Sequence, residues 1–182
     1  INGKTYAKST DANGTASMGL NLASNVYKAT VSYNGSDMYN AVSKNITVTI
    51  NPTIISKDLV KMYQNATRFY AKFTDSTGKA IANKEIRFNI NGVFYTKKTD
   101  KDGVADLGIM LRPGSYILTA YNPVTGEEKG FNITVKSLIV QNDLTKYYIN
   151  ASKFQATMYD KNGSLAVTKT VTFNIQGVFY PR

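Results

Sequence analysis

The chain of 182 residues contains no cysteine, no histidine and no tryptophan. Without cysteine there is neither a disulfide staple nor thiol chemistry, although this alone does not fix a reducing compartment, because surface repeat proteins can be cysteine-free. Without histidine the commonest general base and the commonest transition-metal ligand are missing, which disfavours an enzyme. Long apolar runs are also lacking. None approaches the roughly eighteen residues of a membrane-spanning helix, and the first residues lack the apolar core of a signal peptide, so an export signal or anchor is expected outside this stretch. Acidic residues are scarce, with 12 Asp and Glu against 22 Lys and Arg and a net charge of +10. The basic residues are dispersed through KTYAKS, TKKTDKD and VTKTV among Thr and aromatic side chains. That pattern reads as solvated strand faces with a weak attraction to anionic polymers such as an acidic cell wall or glycan, and not as a nucleic-acid site.

What the chain does have is a β-rich composition, with 42% hydrophobic residues, thirteen Tyr and eight Phe, and an internal repeat. Residues 85–121, EIRFNINGVFYTKKTDKDGVADLGIMLRPGSYILTAY, occur whole once and in pieces twice. At the N-terminus, Asn2, Gly3, Thr10, Asp11, Gly14 and Ala16 fall on Asn91, Gly92, Thr99, Asp100, Gly103 and Ala105; at the C-terminus VTFNIQGVFY restates IRFNINGVFY. The pairs Phe69/Phe154, Asp75/Asp160, Gly78/Gly163 and Ile90/Ile175 are each 85 apart, and Ile1/Ile90 are 89 apart. Such a period suits a small all-β domain of immunoglobulin type.

Apolar residues alternate with polar ones at Leu20 and Leu22, at Tyr27, Ala29 and Val31, and at Ile46, Val48 and Ile50. The same period of two runs through Phe69, Ala71 and Phe73, through Ile86, Phe88 and Ile90, through Leu107, Ile109 and Leu111, through Tyr116, Leu118 and Ala120, and through Phe131, Ile133 and Val135. Each run predicts a strand with one buried face. Asn91-Gly92 predicts a two-residue hairpin that sets Phe88 opposite Tyr95 and brings Val93 and Tyr95 back on the inner face. Phe154, Ala156 and Met158 are expected to match Phe69, Ala71 and Phe73. Pro52 marks a junction. The expected fold class is all-β, as tandem immunoglobulin-like β-sandwiches of about seven strands per repeat. Residues 1–52 would be the C-terminal part of one repeat, 53–136 a complete repeat, and 137–182 the N-terminal part of the next.

The string TDKDGVADLGIMLRPGSYILTA, preceded by GKAIANKEIRF, resembles the bacterial Ig-like group 1 domains of intimin and invasin-type surface proteins. FNINGVFY, RPGSY and YNPVTGEE are similar to tandem repeats of adhesin-like proteins of methanogenic archaea. The resemblance implies a large secreted cell-surface protein with Ig-like modules as a stalk or fibre, and it carries over no catalytic residue. Gln176 in place of the turn Asn and Pro181 in place of Thr96 depart from the repeat pattern.

Candidate chemistry is sparse. Asp100, Asp102 and Gly103, like Asp11, Asn13 and Gly14, have the start of a calcium loop but lack its further ligands, so hairpin turns are expected and neither metal nor cofactor. Seven Asn-X-Ser/Thr sequons, at Asn13, Asn34, Asn45, Asn65, Asn132, Asn150 and Asn162, are candidate N-glycosylation sites, with Asn65 and Asn150 at the same repeat position. Tyr6, Tyr33, Tyr39, Tyr121 and Tyr159 are candidate glycan-contacting aromatics, while most other rings alternate at core parity. Lys72 is flanked by core positions, as a Lys–Asn cross-link would require, but its parity points outward.

The expected function is a non-enzymatic structural and adhesive module, extracellular or at the cell surface, with a carbohydrate or cell-wall binding module as the alternative. Its expected partners are neighbouring repeats of the same or identical chains, and a surface glycan or a ligand on a host or partner cell. The terminal half-sandwiches would expose unpaired edges. Either they continue in a longer chain, or the C-terminal half of one chain completes the N-terminal half of the next by strand complementation, with one copy of the duplicated hairpin displaced.

Overall fold

Alternating sequences bury one face of a pleated strand, and here they form fourteen strands and no helix among the described residues. The computed structural model describes residues 1–181. Two units separate after Pro52. The first contains one antiparallel hairpin, β1 (Asn25–Tyr33) and β2 (Val42–Ile50), in unbroken register from Asn25 opposite Ile50 to Tyr33 opposite Val42. None of its residues is buried. The strand expected around Leu20 and Leu22 does not form, because an isolated strand has neither a partner for its backbone nor a sheet across from its apolar face. The Asn2-Gly3 turn does form, with φ of 51° and 68°, and the Lys4 amide donates to the Ile1 carbonyl at 3.0 Å.

In the second unit, eight strands lie between Ile54 and Lys136. They are β3 (Ile54–Ile55), β4 (Leu59–Met62), β5 (Arg68–Phe73), β6 (Glu85–Ile90), β7 (Val93–Lys98), β8 (Val104–Gly108), β9 (Gly114–Tyr121) and β10 (Glu128–Lys136). One sheet has the order β3-β5-β8 and the other β4-β10-β9-β6-β7. Eight strands appear where about seven were expected because the opening strand splits: Ile54–Ile55 pairs antiparallel with β5, whereas Leu59–Met62 crosses to the other sheet and pairs parallel with β10.

The inner faces of the two sheets enclose one core, and every buried hydrophobic side chain among the described residues lies between Ile54 and Val135. Phe88 sits at its centre. Its ring meets Phe69 edge-on at 5.8 Å and Phe73 at 6.0 Å, and Phe69 meets Phe131 at 5.4 Å. Phe88 lies on the five-stranded sheet and Phe69 and Phe73 on the other, so these contacts join the layers. Full burial of each such ring contributes about 1.5–3 kcal/mol.

The hairpin register is as expected, with Phe88 opposite Tyr95, but the burial of β7 is not: Val93 and Tyr95 are exposed. β7 is the edge of a five-stranded sheet faced by only three strands, so the side chains on its inner face lack cover. The third expected run is shorter than its alternation, since β8 ends at Gly108, although Ile109 remains buried.

Buried polar groups are satisfied locally. At the start of the unit, Glu127 Oε2 accepts from the Thr53 hydroxyl at 2.6 Å and the Ile54 amide at 3.1 Å. Asn122 Nδ2 donates to the Thr74 carbonyl at 2.9 Å, so the β9–β10 turn ties the first residues of the unit to β5. The Tyr116 hydroxyl donates to the Arg112 carbonyl four residues back at 2.9 Å, and Tyr27 does the same to Ala23 at 2.8 Å. Lys61, on β4, is 5% exposed; its Nζ donates to the carbonyls of Thr67 at 3.0 Å and Ile109 at 2.8 Å. The ion pairs among the described residues are Arg68–Asp106 and Lys101–Asp102, so no carboxylate neutralises Lys61.

Beyond Lys136 come two hairpins: β11 (Ile139–Gln141) with β12 (Ala156–Met158), and β13 (Thr172–Ile175) with β14 (Val178–Pro181). They stand at the repeat positions of β3, β5, β6 and β7. Phe154 and Phe173 meet edge-on at 5.3 Å, as their counterparts Phe69 and Phe88 do, yet Phe154 is 43% exposed. Ala156 and Met158 are only half-buried, unlike Ala71 and Phe73. Gln176 and Gly177 take φ of 49° and 87°, close to the 53° and 77° of Asn91 and Gly92, so Gln serves in the turn despite its sequence departure.

Phe88→Ala should lower the unfolding free energy of the core between Ile54 and Val135 by about 3–5 kcal/mol in urea titrations, whereas Phe173→Ala should cost less than about 1 kcal/mol. Burial lowers the Lys61 pKa from its ordinary value near 10.5, so the native state sheds this proton before the unfolded state does. Stability should therefore rise with pH from the lowered folded value towards about 10.5. Lys61→Met should remove that component of the slope, as read from unfolding midpoints across the alkaline range.

Candidate functional site

Outward parity on the five-stranded sheet assembles a surface cluster. Arg87 pairs in register with Tyr121 on β9, and its neighbour on the same face of β6, Asn89, pairs with Phe94 on β7. The three side chains therefore share a face. The Arg87 guanidinium lies 5.1 Å from the Phe94 ring and 5.6 Å from the Tyr121 ring, and the rings are 5.8 Å apart. Phe94 is 55% exposed. A recess of about 380 Å³ beside it is lined by Arg87, Tyr121, Thr96, Glu85 and Glu128, among others. Flat aromatic surface beside a fixed cation and carboxylates can stack on a pyranose ring and hydrogen-bond its hydroxyls.

Of the candidate aromatics, only Tyr121 joins this cluster. Tyr6, Tyr33 and Tyr39 are exposed in the first unit and make no ring contact among the described residues, and Tyr159 is half-buried elsewhere. Phe94 and Arg87 were not singled out from the sequence. Their signal was available as the outward-parity members of the NINGVF hairpin, but parity alone does not show that β9 lies beside β6.

A second recess, of about 670 Å³, lies between the loop after β4 and the residues that follow β10. Val60, Lys61, Met62, Asn65, Tyr159 and Gly163 contribute to its lining. Here the sequon at Asn65 folds back on itself: Asn65 Oδ1 accepts from the Thr67 amide at 2.8 Å and from the Thr67 hydroxyl. Its Nδ2 donates to the Lys161 carbonyl at 2.8 Å. Asn150 repeats the fold, with Oδ1 accepting from the Ser152 amide at 2.8 Å and from the Ser152 hydroxyl, but its Nδ2 has no partner among the described residues.

Asn132 Nδ2 donates to Asp58 Oδ2 at 2.9 Å and the Asn132 amide donates to Oδ1 at 2.8 Å; these bonds hold the Asp58 carboxyl below its usual pKa. Asn45 accepts from the Thr30 hydroxyl at 2.7 Å, Asn13 and Asn162 are exposed in turns, and Asn34 is exposed just after β1. The amide nitrogen that would carry a glycan is thus engaged at Asn65 and Asn132.

The calcium-like strings are turns but not hairpins, since β7 and β8 on either side of Asp100–Gly103 belong to different sheets and no strand flanks Asp11–Gly14. Asp100 Oδ1 accepts from the amides of Asp102 at 2.9 Å and Val104 at 2.8 Å, and Gly103 has φ of 76°. Asp11 does the same with Asn13 and Thr15, both at 2.9 Å. Asp75 and Asp160 build matching turns, so the carboxylate is consumed by the backbone in all four. A Cβ at Gly103 would lie 2.7 Å from the Phe73 carbonyl oxygen, so only glycine fits there. No group of three potential metal-ligating side chains occurs among the described residues. Lys72 is exposed, in keeping with its parity.

No family model matches this sequence, and no curated protein matches it. Two solved structures are similar over parts of their length. One is of a 1.5-MDa bacterial ice-binding adhesin, 13% identical, covering 62% of this chain and 41% of that one, with a TM-score of 0.28. The other is of domains 4–9 of the surface layer protein SbsC, 16% identical, covering 97% of this chain and 37% of that one, with a TM-score of 0.30. This chain thus spans well under half the length of either, and likenesses this weak decide nothing about its activity.

Proposed function

We propose that this chain is a non-enzymatic structural module of a large, repetitive cell-surface protein, built of immunoglobulin-like repeats that act as a stalk. The observation that carries the reading is the pairing of β4, near the start of the complete repeat, with β10 at its end. The two run parallel, with Leu59 opposite Ile133 and Met62 opposite Lys136. Tension applied through the chain pulls these strands in opposite directions. Their hydrogen bonds lie across the force and must fail together, which is the geometry a tension-bearing module needs. The linker supports the same reading: only Ser137 and Leu138 separate β10 from β11. The sheet orders β3-β5-β8 and β4-β10-β9-β6-β7, with the Tyr116 hydroxyl returning to its own upstream backbone, support the immunoglobulin-like assignment.

The first unit supplies a β9–β10 type hairpin, and residues 137–181 supply counterparts of β3, β5, β6 and β7, so elements of the same module recur on both sides of residues 53–136. Glycans are proposed at Asn13, Asn34, Asn45, Asn150 and Asn162. A second reading, a carbohydrate-binding face, is favoured by the Arg87–Phe94–Tyr121 cluster.

Single-molecule pulling on the 182-residue chain should show one unfolding step, and residues 53–136, at roughly 3.5 Å per residue, should release a contour of about 290 Å; absence of a resisting step would sink the stalk reading. On a glycan array, Phe94→Ala should weaken any binding by roughly tenfold, whereas binding left intact by that change would remove the cluster from consideration.

A further inference from the structure

The turn Asp160–Gly163 is seated on the loop that follows β4. Asn65 Nδ2 donates to the Lys161 carbonyl at 2.8 Å, and a Cβ built on Gly163 would lie 3.7 Å from Met62 Cγ. The loop receiving the turn is held from below, because the buried Lys61 Nζ binds the carbonyls of Thr67 and Ile109 and so fastens both ends of the loop to the core.

Both halves of this contact occur a second time in the sequence. The offset of 85 carries Asp160–Gly163 onto Asp75–Gly78 and Lys61–Thr67 onto Lys146–Ser152. The spare turn has the same internal hydrogen bonds, with Asp75 Oδ1 accepting from the amides of Thr77 at 2.9 Å and Lys79 at 3.0 Å. Nothing lies within 4 Å of a Cβ at Gly78. The spare loop likewise repeats its model: Lys146 Nζ donates to the Ser152 carbonyl at 3.0 Å, as Lys61 does to Thr67. Tyr147, at the position of the half-buried Met62, is 89% exposed.

We propose that this turn and this loop are complementary docking elements between successive repeats. The inference rests on the stalk reading and identifies the partner: the same repeat, recognised by an Asn amide donating to the second residue of the DxxG turn and by a side chain packing on its glycine. It also gives Asn150, at the repeat position of Asn65, an amide nitrogen that a glycan on this sequon would take out of use as a docking donor.

Asn65→Asp keeps the oxygen that Thr67 needs and removes the donor to Lys161. In the full chain it should raise hydrogen exchange at residues 159–164 roughly tenfold, while Asn150→Asp leaves that segment unchanged. Equal exchange in Asn65→Asp and the parent chain would overturn the dock without touching the stalk reading, which the pulling experiment reads.

Discussion

A sheet with an apolar face is stable only when something covers that face, and this governs the whole chain. Between Ile54 and Val135 the cover exists: Phe88 on the larger sheet meets Phe69 and Phe73 on the smaller. Before and after that stretch, related side chains stand partly in solvent. Phe154 and Phe173 already meet at 5.3 Å, but Phe154 remains 43% exposed. Local pairing is thus present without full burial. Hairpins form from their own turns and registers, and a core forms only where enough strands face one another.

Polar chemistry in this protein serves mainly to shape the backbone. Four aspartates fold the same kind of turn by accepting two amide hydrogens each, and Asn65 and Asn150 fold a second recurrent loop through their side-chain oxygens. Such groups could have been read as metal ligands or glycan acceptors. The carboxylates are spent on main-chain amides, and Asn65 spends its nitrogen on Lys161 as well. The turn at Asp160, shaped in this way, meets the loop at Asn65 through the Lys161 carbonyl. Lys61 belongs to the same scheme, as a buried cation with carbonyl partners that holds a loop in place at the cost of its own desolvation.

Much of this was legible in the sequence, because it is local. Period-2 alternation marked the inner faces of β5, β6, β9 and β10, Asn91-Gly92 set the Phe88–Tyr95 register, and the DxxG strings marked turns. The readings that failed depended on neighbours distant in sequence. Val93 and Tyr95 have core parity but lie on an edge strand, and Leu20 and Leu22 alternate without a partner to pair with. Phe94 and Arg87 escaped notice because their partner Tyr121 is brought alongside only by sheet order.

The sequence by itself determined the repeat, the strand-forming stretches, the turns and the lack of cysteine and histidine chemistry, since each follows from residue type and short-range spacing. Tertiary structure alone decided that the opening strand splits between two sheets, that β4 runs parallel to β10, that Lys61 is buried without a counter-ion, and that Asn65 reaches across to Lys161. These are pairings between residues far apart along the chain. Alternation specifies which face of a strand is apolar; it does not specify which strand will lie beside it.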